Sequence, residues 1–148
     1  MDRLAWERGY PYALMALRLL IDETGASVSY RIHGAGPELY HVLFTASDLE
    51  LEGNAEIRPP LERRRAAEVL AEHDVYLDLR LDGGRGWGLA AAIEAGLPAV
   101  VSTAVAADGP VYDGMNGLVV PVRDPAAASR ALARLLDPAL RAELASAR

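Results

Sequence analysis

The chain has 148 residues, 51% of them hydrophobic and 24% charged, which is enough apolar material for one domain with a sizeable core and too much for a disordered segment. Its 21 acids outweigh 15 basic residues, all of them arginine, and the net charge of −6 with no basic block argues against nucleic acid as a partner. There is no cysteine to form a disulfide, a thiol nucleophile or a thiolate metal site, and no transmembrane segment or secretion signal is apparent, so a cytoplasmic protein is the expectation.

The chain opens on a turn and a helix (MDRLAWERG) with no strand before them. Residues 10–22 carry apolar side chains at helical spacing, and Gly25 supplies a stop. SVSYRIHG alternates, with Val28, Tyr30 and Ile32 on one face, and predicts a strand ending at Gly34. Pro37 opens a helix through about Leu49, and NAEIR reads as a short strand closed by Pro59 and Pro60. LERRRAAEVLAEH predicts an amphipathic helix and VYLDLRL another strand. A helix over 88–95, strands PAVVS and GLVVP, and helices over 125–136 and 138–147 complete the chain. Asp124-Pro125 and Asp137-Pro138 are cap-plus-first-turn pairs that start the last two helices.

Strand–helix alternation of this kind predicts an α/β domain, a Rossmann-like doubly wound parallel sheet covered on both faces. Such a domain normally begins with its central strand, so the opening predicts a single domain lacking its first strand, with a gap in mid-sheet. Ligands in this class sit beyond the carboxyl ends of the strands.

Gly83, Gly84, Gly86 and Gly88 cluster just before the helix over 88–95. A helix start behind a glycine-rich loop offers unpaired N–H groups at a positive dipole end, a ready phosphate site, although a glycine cluster is also what a plain surface loop contains. Arg3 and Arg8 flank the first turn, where two guanidinium forks clamp a diphosphate or simply face solvent. Gly34-Ala35-Gly36 lacks the third glycine of a dinucleotide fingerprint, because Leu39 stands there, so a tight turn competes with ligand contact. Trp87 is either an apolar anchor or a stacking face. Glu94 is either a ribose ligand or an exposed helix residue. The three histidines, His33, His41 and His73, have no metal spacing, and no Gly-x-Ser-x-Gly elbow is present.

These segments together resemble the C-terminal donor-binding domain of GT-B glycosyltransferases of family 4, the group 1 glycosyl transferases. Arg3-Leu4 with Glu7-Arg8-Gly9 is similar to the family's Gly-Arg-Leu…Glu-Lys-Gly opening, with Arg8 in the lysine's place. YRIHGAGPEL resembles its second strand and Gly-x-Gly-Pro turn, NAEIRPPL its base-reading segment with Arg58, and GRGWGLAAAIEAGLPAVVST its signature. DGMNGLVVPVRDPAAASRALARLL is the most specific match.

The resemblance implies a UDP- or GDP-linked sugar donor and retaining transfer with no metal or other cofactor. Arg3 and Arg8 would neutralise the leaving diphosphate, Arg58, Gly86, Gly88 and Leu89 would contact the donor, and Glu94 would bind the ribose. Residues 1–148 would be a truncated donor domain, with the acceptor domain absent and supplied by a separate chain or a second copy. The isolated chain would then be inactive.

The departures are specific. Matching GWGL puts Arg85 where the signature's first acid belongs, with a step of nine residues to Glu94 where the family has eight, and matching Gly-Leu-Pro instead puts Gly83 and Ala91 at the two positions, so that both acids are lost. The Gly-Gly…Glu loop reads AVAADGPVYDG. A non-catalytic interaction module of the same fold therefore stands as the alternative, with a nicotinamide-dependent oxidoreductase as a third reading.

Overall fold

The computed structural model describes residues 2–84 and 86–147, with Asp2 and Arg3 described by their backbone alone. Strands and helices alternate through most of the chain. Strand β1 (Asp2–Arg3) is followed by α1 (Tyr10–Thr24), β2 (Tyr30–Ala35), α2 (Leu39–Asp48), β3 (Ala55–Arg58), α3 (Ala66–Leu70) and β4 (Tyr76–Asp78). Then come α4 (Trp87–Glu94), β5 (Ala99–Ser102), α5 (Thr103–Asp108), β6 (Gly117–Val120), α6 (Pro125–Arg134) and α7 (Pro138–Ser146).

All the pairings between these strands are parallel, in two three-stranded groups ordered β3-β2-β1 and β4-β5-β6. Side by side, with β2 and β4 lining one cavity, these give a doubly wound arrangement. The expectation of a missing first strand needs correction, because Asp2 and Arg3 form a strand there. Asp2 and Arg3 pair with Gly34 and Ala35, at the very end of β2. Below them, among the described residues, no strand lies between Tyr30–Ile32 of β2 and Tyr76–Asp78 of β4. Tyr30 N–H donates to Asn54 on the β3 side and Tyr76 N–H to Pro98 on the β5 side. Alternation along each strand therefore turns the main-chain groups of Arg31 and Leu77 toward the slot.

The core follows the alternation of the strands. β5 is buried over its whole length, as a strand covered on both faces must be. Val100 packs with Ala16 of α1, Ala128 and Leu135, and Val101 with Leu89 and Val105 on the opposite face. α1 bridges the two halves. Ala13 and Ala16 pack against the β4–β6 side, and Leu14 and Leu17 pack with Ile32, Val42 and Leu51 on the other. The halves also meet at the main chain, where Leu81 N–H donates to the Glu7 carbonyl at 2.7 Å. Gly9, at φ 69°, lies so close to the Leu79 carbonyl that a Cβ there would overlap it.

The element boundaries carry two more corrections. The helix expected over LERRRAAEVLAEH shortens to α3, preceded by a single tight turn at Arg63–Arg65. The segment AVAAD, expected as loop, is helix α5, because the buried Ser102 hydroxyl accepts from Val105 N–H and caps it. Asp124 and Asp137 cap α6 and α7 as expected, accepting from Ala127 and Ala139 N–H groups at 2.8 and 2.9 Å.

Candidate functional site

The carboxyl ends of β2 and β4 line one cavity with the start of α4. Gly86 is the N-cap of α4, in extended conformation, and among the described residues no side-chain cap bond is made at this helix start. The cavity in front of it holds about 120 Å³ and continues into the slot between β2 and β4. Arg8, His33, Arg80, Gly86 and Gly88 line it together.

Arg80 is the residue that pattern reading missed. It is 5% exposed, and its Nε donates to both Asp78 oxygens at 2.9 and 3.1 Å. The Arg80 carbonyl accepts from the Ser102 hydroxyl at 2.6 Å, which ties the end of β4 to the cap of α5. Burial works to lower the proton affinity of the guanidinium, but the hydrogen bonds and charge of Asp78 more than offset it and hold the group protonated above its ordinary range. Its Nη2 is buried and, among the described residues, has no hydrogen-bond partner. The signal for it was the pair of charges two residues apart, Asp78 and Arg80, in an otherwise apolar strand.

His33 stands at the end of β2, with Nδ1 3.1 Å from the Pro59 carbonyl and Nε2 buried without a partner among the described residues. Burial, together with the charge of nearby Arg31, lowers its proton affinity below the usual histidine range, partly opposed by the Pro59 carbonyl. The Nδ1 contact fits a neutral ring with Nδ1–H donating and Nε2 open as an acceptor.

The remaining expected site residues are spread out. The Arg3 side chain and Arg85 lie outside the described residues. Arg58 is exposed, ion-paired with Glu56 at 2.7 Å, and borders a second depression that His33 shares. Leu89 is 2% exposed and belongs to the core, packed with Val101 and Val105. Glu94 is exposed at the last residue of α4, roughly 12 Å along the helix from its N-cap at 1.5 Å per residue. Trp87 is an anchor: it packs with the cluster of Ala66, Leu70, Ala92 and Leu97, and Arg63 sits 5.6 Å from its ring centroid. Gly36 is accounted for by close packing, since a Cβ there would lie 2.6 Å from the Leu4 carbonyl. Among the described residues, no group of three or more metal-ligating side chains is gathered. No helix among them is long and apolar enough to cross a membrane.

In a doubly wound domain the carboxyl ends of the strands are where ligands sit, and a helix start there is a favourable place for an anion. More narrowly, the family model for "Glycosyl transferases group 1" matches residues 1–138, and the chain belongs to that family. No curated protein matches its sequence.

The fold is that of GT-B glycosyltransferase C-terminal domains. It superposes with a TM-score of 0.87 on the C-terminal domain of the group 1 protein LpcC from Francisella tularensis, at 14% identity, covering 99% of this chain and 78% of that one. A TarM variant from S. aureus, in complex with fondaparinux, alpha-GlcNAc-glycerol and UDP, gives 0.84 at 16% identity, covering 97% of this chain and 29% of that one. HepE from Anabaena, in complex with UDP and glucose, gives 0.83 at 17% identity, covering 98% and 40%. The chain thus spans about a third of the length of these two whole enzymes.

Proposed function

We propose that this chain is the donor-binding part of a retaining, metal-independent glycosyltransferase that uses a UDP- or GDP-linked sugar. The observation that carries this reading is the shared cavity of Arg8, Gly86 and Gly88 at the uncapped start of α4. The diphosphate lies against the first turn of α4, and Arg3 and Arg8 take the charge that develops on it as the sugar leaves. Preorganised cations and helix dipoles at such a position do the work a metal ion does in other transferases. Arg58, on the adjoining depression with His33, lies toward the base, and Glu94 is the proposed ribose ligand. UDP in the TarM and HepE complexes supports a nucleoside diphosphate as the ligand class. In this reading the acceptor is held by a further domain, a separate chain or a second copy. Residues 1–148 alone bind the donor without turning it over.

The test is a thermal-shift titration with UDP, GDP, UDP-glucose, GDP-mannose and NAD. A ligand of the folded state at about one hundred times its Kd raises stability by roughly 2.7 kcal/mol. A shift with one nucleoside diphosphate, lost in Arg3→Ala/Arg8→Ala, supports the reading, and a shift confined to NAD overturns it. One observation favours a second reading, a module that kept the fold and lost the ligand: Glu94 is exposed and distant from the open end of its helix. A cooperative melt that no nucleotide moves is the result expected of that module.

A further inference from the structure

We propose that Arg80 is a phosphate-binding residue, whose unpaired Nη2 and the first turn of α4 together take the anionic group of the ligand. The inference rests on the reading of the cavity as a nucleoside-diphosphate site and adds a residue to it.

Three observations converge. Asp78 engages Arg80 from the side, through Nε, and its Oδ1 also lies 3.4 Å from the Arg80 N–H. Both carboxylate oxygens are thereby committed, and Nη2 is left buried with no partner among the described residues. A buried donor of this kind costs free energy that folding alone does not explain. Secondly, the guanidinium lies against the N-cap of α4. A Cβ built on Gly86 would stand 3.3 Å from Nη2 and 3.6 Å from Nη1, and one on Gly84 3.9 Å from Nη1. The glycines leave room for the guanidinium directly beneath the helix start. Thirdly, this juxtaposes a fixed positive charge with the positive end of a helix dipole, a repulsive arrangement in the absence of an anion.

A phosphate group resolves all three. Its oxygens accept from the Nη edge and from the helix N–H groups, and its charge turns the repulsion into attraction. Asp82, in the loop after β4, also bears on the charge of Arg80. Asp78 positions the guanidinium and does not compete for its outer edge. Lysine, a point charge without the planar fork, would keep the attraction and lose the paired geometry.

The experiment is calorimetric titration of the wild-type chain, Arg80→Gln and Arg80→Lys with UDP, GDP, uridine, guanosine and inorganic pyrophosphate. The expected result is an about ten- to hundred-fold weaker Kd for the diphosphates in Arg80→Gln, with nucleoside binding unchanged and partial recovery in Arg80→Lys. If Arg80→Gln does not melt cooperatively, Arg80→Lys carries the test, with a diphosphate loss that spares the nucleosides. Binding of pyrophosphate that depends on Arg80, with no preference for either nucleotide, upholds the anion site and removes the nucleotide reading. Equal loss of diphosphate and nucleoside binding marks Arg80 as structural and overturns the proposal. So does wild-type protein that binds neither diphosphates nor pyrophosphate.

Discussion

The two halves of this sheet are built to different standards. In the β4-β5-β6 half the central strand is paired on both sides and wholly buried, and both of its faces are covered by helices. In the β1-β2-β3 half β1 spans Asp2–Arg3 and pairs with Gly34 and Ala35, and among the described residues no strand pairs with Tyr30–Ile32 on the side facing β4. Yet the short strand sits at the end that matters. Its two residues pair at the carboxyl end of β2, and the slot below is continuous with the cavity that Arg8, Arg80 and Gly86 line.

The largest expected effect attacks the seam between the halves. Gly9→Ala forces a left-handed φ of 69° on alanine and drives its Cβ into the Leu79 carbonyl. Denaturant unfolding should show a loss on the order of 3 kcal/mol or failure to fold. A loss below about 1 kcal/mol would mean that the halves are not rigidly joined there.

The contrast itself is read by amide hydrogen exchange. The N–H groups of Arg31 and Leu77, which face the slot, should exchange at least about a hundredfold faster than those of Val100 and Val101. Equal protection would show that the slot is closed in solution.

A smaller effect comes from pH. His33 has its proton affinity lowered in the folded chain, so below its unfolded pKa of about 6.5 the unfolded state binds a proton that the native state resists. Stability should therefore fall as pH drops from about 6.5 toward the lowered folded value and stay flat, for this group, above 6.5. His33→Gln should remove that slope from a melting series between about pH 5 and 7.5. An unchanged slope would assign it to other groups.

Much of this was legible in the residues. The helix stop at Gly25, the Asp-Pro starts at 124–125 and 137–138, and the apolar strand before Ser102 follow from local chemistry, and each forms where expected. Glycine density before an apolar helix located the open helix start. What escaped depends on distant partners. Helix α5 is set by one buried hydroxyl, Ser102, and AVAAD has no periodicity of its own to announce it. Strand alternation could place Asp78 and Arg80 on one face but could not say that Gly84 and Gly86 would fold over that arginine. Leu89, a signature position by resemblance, points into the core, because the residue that follows a helix start by three positions lies on the buried side here. The first strand has only two residues, too few to carry a pattern, and only the pairing with Gly34 and Ala35 reveals it.

The most direct test of the central claim is hydrogen–deuterium exchange of the chain with and without saturating UDP or GDP. The account predicts added protection confined to the turn around Arg8 and to residues 82–90, with β5 and α6 unchanged. Protection elsewhere, or none at saturation with either nucleotide, would contradict a nucleoside-diphosphate site at the start of α4.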